Sequence, residues 1–85
     1  MGNITHPIIA MDAVVSSQIA AIGHDPETNT LAIQFPAEDG PGTVYHYGNF
    51  DAEDFAKFQA AESKGSHFGK YIKPFKEKYP YTKIS

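Results

Sequence analysis

The stretch Thr43-Val44-Tyr45-His46-Tyr47, closed by Gly48-Asn49-Phe50, holds β-branched and aromatic residues at strand spacing, with Gly42 before it and Gly48 after. This pattern predicts the last strand of a small meander. Side chains alternate along a strand, so Tyr45 and Tyr47 share one face and leave Val44 and His46 on the other. One of the two faces must meet the core.

Working back from it, Leu31, Ile33 and Phe35 alternate with Ala32 and Gln34, the cleanest half-buried strand in the chain. Residues Ser17 to His24, with Ile19 and Ile22 among alanines, read as an earlier strand. It stops at Asp25-Pro26-Glu27-Thr28-Asn29, where proline presets a turn and Asp25 and Asn29 can bond the local backbone. Pro36 to Gly42, with Glu38, Asp39, Gly40 and Pro41, makes the second turn. Met1 to Val15 carries Ile4, Ile8, Ile9, Met11, Val14 and Val15 at no sustained period. Such a lead-in either docks across the sheet or adds an edge strand.

After Phe50 the period changes. Asp51 is a good N-cap, Glu53 and Asp54 suit a helix start, and Phe50 can staple onto Phe55. The helix begins at Asp51 or Ala52, and Gly65 marks its end after Ala61 to Ser63. A second helix places Phe68, Ile72 and Phe75 on one side and closes near Ile72, because Pro74 disfavours helical geometry at Lys73. Phe55, Phe58, Phe68 and Phe75 all read as core. Tyr79 to Ile84 is extended. The fold class is α+β: a three-stranded antiparallel meander, two short helices packed on one face, and an extended C-terminal tail. Residues 1–15 form the lead-in and residues 16–85 a single domain.

The 85 residues carry a net charge of −3 and no cysteine. Disulfides and thiolate metal sites are thereby excluded, and the composition suits a reducing cytoplasm. No apolar stretch reaches membrane-spanning length. Residues 1–54 hold eight acids and no lysine or arginine, whereas residues 55–85 hold all seven lysines against Glu62 and Glu77. This asymmetry points to a charged partner or a self-complementary oligomer. The lack of arginine weakens the case for bidentate phosphate or base-edge recognition, because lysine offers only a point charge.

Four segments together resemble the KTSC domain family, a small module of bacterial and phage proteins that also occurs C-terminal to some lysyl-tRNA synthetases. Ser16 to Asp25 is similar to its opening strand and Val44-Tyr45-His46-Tyr47 to its tyrosine-x-tyrosine motif. Ser63-Lys64-Gly65-Ser66-His67-Phe68 is similar to its Ser-Lys-Gly-x-x-aromatic segment, and Tyr79-Pro80-Tyr81 falls where many members end. The resemblance implies a fold and, through the synthetase attachment, RNA binding. Many members carry arginines in the second helix and tail, where this chain has lysine.

No catalytic constellation or metal motif stands out, since His6, His24, His46 and His67 lack HxH or HxxxH spacing. Gly65-Ser66-His67-Phe68-Gly69-Lys70-Tyr71 departs from a P-loop, with three residues between its glycines and tyrosine after the lysine. A simpler anion site remains at the second helix start, where Ser63, Lys64, Gly65, Ser66 and His67 are followed by Lys70 and Lys73. Its plain counterpart is a serine cap with solvated lysines. Tyr45 and Tyr47 act either as core residues, the stronger reading in so small a domain, or as a stacking platform for a base. His46 then lies on the more exposed face as a contact candidate.

The favoured function is non-catalytic binding of a phosphate-bearing nucleotide, a small nucleotide or short RNA, without a cofactor. Screening makes a compact ligand feel the local lysines while duplex DNA feels the whole acidic protein. The alternative is a bacterial or phage accessory protein that works through a protein partner or as a homo-oligomer.

Overall fold

The computed structural model describes residues 9–37 and 42–84. Five strands form one antiparallel sheet whose spatial order is the order of the chain: β1 (Asp12–Ala13), β2 (Ala21–Asp25), β3 (Thr30–Gln34), β4 (Val44–Tyr47) and β5 (Tyr81–Lys83). The central three are the expected meander. The other two, β1 and β5, are short edge strands, two and three residues long, below the length at which alternation can be read. β1 comes from the lead-in, which therefore adds an edge strand, with Asp12 opposite Ile22 and Ala13 opposite Ala21. β5 comes from the tail, held at its ends by Gly48 N–H to Pro80 O (2.8 Å) and Ile84 N–H to Val44 O (2.7 Å).

β2 starts later than the sequence suggests. The Ser16 hydroxyl oxygen accepts from the N–H groups of Gln18 and Ile19, a local turn that competes with the ladder, and pairing in β2 begins at Ala21. Ile19 is buried all the same. The β2–β3 turn forms as its residues dictate, with Asp25 accepting from Glu27 N–H and the Thr28 hydroxyl, both at 3.0 Å. Asn29 closes it at φ 52°, a region asparagine tolerates. Of the expected second turn, Pro36 to Gly42, the part from Glu38 to Pro41 lies outside the described residues, as do Ile4 and Ile8 of the lead-in.

The two helices are α1 (Ala52–Ala60) and α2 (Lys64–Tyr71). Asp51 caps α1 by accepting from Asp54 N–H at 2.8 Å. His24 takes part in the staple: its ring stacks on Phe55 (5.1 Å) and meets Phe50 edge-on (6.4 Å), while Nε2 lies 2.6 Å from Phe50 O. Ala61 in extended conformation ends α1. Gly65 does not mark that end; it lies in the first turn of α2, buried, where a Cβ would meet the Gln18 side chain.

Registry sorts the sheet into two faces. His24, Leu31, Tyr47 and Tyr81 make one row, and Ile22, Ile33, Tyr45 and Lys83 the next, both on the helix side. There Ile22, Leu31, Ile33 and Tyr47 join Phe50, Phe58, Phe68, Ile72 and Tyr79 in the core. Gly23, Ala32, His46 and Thr82 form a row on the other face. That face is covered too: Ala32 is fully buried and the Ala10 carbonyl lies where a Gly23 Cβ would be. Alternation alone would leave this side to solvent, but its small side chains let a chain segment approach closely.

Candidate functional site

The Ser63–His67 segment is occupied by its own neighbours. Ser63 caps α2, its hydroxyl oxygen accepting from Ser66 N–H at 3.2 Å. Lys64 turns back and donates to Ala61 O at 2.8 Å, which satisfies a carbonyl just beyond α1. Gly65 is closed over by Gln18. Lys70 is exposed, and Lys73 lines a different cleft, which none of Ser63 to His67 lines. His46, expected on the exposed face, is 8 % exposed. It lies on the covered side of the sheet and so is separated from both the lysines and the tyrosines.

What the structure does bring together is Tyr45, Tyr47 and Lys73. They line a cleft of about 450 Å³ with Phe35, Phe68, Lys76 and Tyr81. Tyr47 is buried and packs edge-on against Phe68 (5.7 Å), so the core reading holds for it. Tyr45 is only partly buried and meets Phe35 edge-on (5.7 Å). Tyr81, half exposed, lies 5.7 Å from each of the two other tyrosine rings. The face that meets the core thus becomes a cleft wall as it approaches the β5 edge. Tyr81 and Lys76 are not among the candidate site residues read from the sequence. The only trace is that Tyr81 and Lys83 alternate as a strand would, and Lys73 and Lys76 straddle the proline that ends α2.

Burial first, and then the neighbouring Tyr45 and Tyr81, push the Tyr47 hydroxyl up to about 12. In the unfolded chain it ionises near 10. The native state therefore keeps a proton that the unfolded state releases, and the stability present below pH 10 is lost as the pH rises from about 10 to 12. Tyr47→Phe removes this loss. Urea unfolding at about pH 9 and about pH 11.5 checks it, and an equal decline in variant and wild type would exclude Tyr47 as the source.

A second cleft, of about 570 Å³, lies between α1, α2 and the segment that follows α2. His67 lines it rather than the helix start, its ring stacked on Phe58 (5.3 Å) and tilted against Tyr71 (4.9 Å). Burial lowers its pKa, partly opposed by Asp54 and aided by Lys64. Asp54 accepts from the Tyr79 hydroxyl at 3.3 Å, and Asn49 Nδ2 donates to Lys78 O at 3.2 Å, which fixes the far wall. Phe75 corrects the expected core set: it is 49 % exposed and lines this cleft. Pro74 has already ended the helical turn, so the seven-residue spacing from Phe68 no longer carries Phe75 to the buried side.

Over the described residues these elements define an α+β domain with a five-stranded antiparallel sheet and two helices on one face, which carries both of these open clefts. No helix among the described residues is long and apolar enough to cross a membrane. The KTSC domain model matches residues 15–79. The chain is also similar to a KTSC domain protein from Yersinia pestis, whose crystal structure superposes with a TM-score of 0.76 at 35 % identity, covering 92 % of this chain and all of that one. An uncharacterised protein of Stutzerimonas stutzeri is 32 % identical over 72 residues, which is 85 % of this chain and 93 % of the relative. The protein belongs to the KTSC domain family.

Proposed function

We propose that the protein is a non-catalytic binder of a small phosphate-bearing nucleotide or a short single-stranded RNA, and that the tyrosine cleft receives it. The observation that supports this reading is one cleft that combines the accessible ring of Tyr81 and the partly accessible ring of Tyr45 with Lys73 and Lys76. A base stacks on an aromatic ring whatever its identity, and a lysine ammonium attracts the attached phosphate as a point charge. Two lysines within a Debye length act on a compact ligand despite the net charge of −3, while a duplex would also meet the acidic half of the chain.

Calorimetric titration with AMP and with a uridine tetranucleotide tests the assignment. Tyr81→Ala is expected to cost about 1–3 kcal/mol per stacked base. Replacing Lys73 and Lys76 together by alanine is expected to weaken binding about tenfold and flatten its salt dependence. Unchanged affinity in both variants would exclude this cleft.

A further inference from the structure

The larger cleft combines groups that the nucleotide reading does not use. Phe75 and Tyr71, 49 % and 58 % exposed, are two of the four large apolar side chains exposed among the described residues, and both belong to this cleft. In so small a domain such rings are normally inside. Between them and α1 the floor is apolar, made by Phe50 and Ile72, each 1 % exposed.

The polar groups are arranged as unlike charges held apart. Asp54 and Lys57, three residues apart on α1, and Lys78 on the opposite wall line the same space. Among the described residues neither lysine forms an ion pair with Asp54, and the His67 ring nitrogens make no hydrogen bond. One carboxylate oxygen of Asp54 is taken by the Tyr79 hydroxyl, and the other has no side-chain partner there. The Lys78 ammonium lies 5.1 Å from the Tyr79 ring centroid, at the rim. A purely anionic ligand would face Asp54 and a purely cationic one would face two ammonium groups. A ligand carrying both charges satisfies the whole set.

We propose that this cleft binds a small zwitterion with a planar apolar side group, chemically an aromatic amino acid. Its ammonium is held by Asp54, its carboxylate by Lys57 and Lys78, and its ring lies against Phe75 and Tyr71. The volume of about 570 Å³ is within the range of small-molecule sites.

The test exploits the absence of tryptophan from the chain: ligand fluorescence reports binding without background. The full chain is titrated with L-tryptophan, with tryptamine, which lacks the carboxylate, and with indole-3-propionate, which lacks the ammonium. L-Tryptophan is expected to bind at least about tenfold more tightly than either analogue, and Asp54→Asn to remove that advantage over indole-3-propionate. Amide shift mapping on the wild-type protein is independent of any variant's folding, and is expected to move residues 54–57, 67–71 and 75–79. No binding at about 1 mM, equal affinity for all three compounds, or shifts confined to Tyr45 and Tyr81 would overturn the proposal. AMP titrations of the wild type and of Asp54→Asn separate the two clefts: failure of AMP to bind the wild type overturns only the nucleotide reading, whereas AMP binding that is lost in Asp54→Asn would place the nucleotide in this cleft and overturn the amino-acid proposal.

Discussion

Phe58→Ala is expected to lose about 3–5 kcal/mol of stability, the range for a large aromatic removed from a packed site. Phe58 is fully buried, the one buried residue of α1, and meets Phe50 edge-on (6.4 Å) on one side and His67 stacked (5.3 Å) on the other. A chain of 85 residues has roughly 4–13 kcal/mol in total. The variant therefore forfeits a large part of it, and α1 loses its only deep anchor. With an m-value of about 1 kcal/mol/M, the urea midpoint falls by about 3 M or the protein is unfolded without denaturant. Phe58→Leu, which keeps most of the volume, is expected to lose less than half as much. A midpoint shift below about 1 M for the alanine variant would show that α1 is held by its partly buried residues instead.

Gly23→Ala is expected to act on the opposite face. The added methyl falls on the Ala10 carbonyl, which is main chain and cannot swing aside as a side chain would. Overpacking of this kind costs about 1–3 kcal/mol, unless the lead-in lifts off β2 and takes the two pairs of β1 with it. Gly69→Ala is the matched control. It lies inside α2 with nothing within 4 Å of its Cβ position, so helix propensity alone applies and the variant gains about 0.5–1 kcal/mol. Thermal melts should move in opposite directions. Equal melting temperatures would show that the lead-in does not rest against Gly23.

The contrast between these two glycines shows where sequence reading reached and where it stopped. Local chemistry was legible: the Asp51 cap, the Asp25 turn, the alternating strand at Leu31 and the stop at Pro74 each depend on residues a few positions apart. The match of four segments to the KTSC pattern carried the family. Long-range coverage was not legible. Nothing near His46 in sequence indicates that its face is closed, because the segment that meets this face at Gly23, Ile9 and Ala10, lies more than thirty residues earlier in the chain. The site suffered similarly. Tyr45, Tyr47 and Lys73 do share a cleft, yet Tyr81 arrives through a strand too short to read, and Lys64 is drawn back to Ala61 by a contact no spacing rule foretells. His67 and Phe75 were noticed for other reasons, one as an anion contact and one as core, and both turn out to line a cleft built from three segments.

β5 is three exposed residues long and, among the described residues, pairs only with β4. Edge pairs this short open locally at much lower free energy than the central strands, without unfolding the rest. One wall of the tyrosine cleft is thereby a shutter, and its opening can be timed: backbone amides of β5 should exchange with deuterium long before those of β2 and β3. A ligand seated against Tyr81 would slow that exchange, turning the least stable strand of the sheet into its own occupancy gauge.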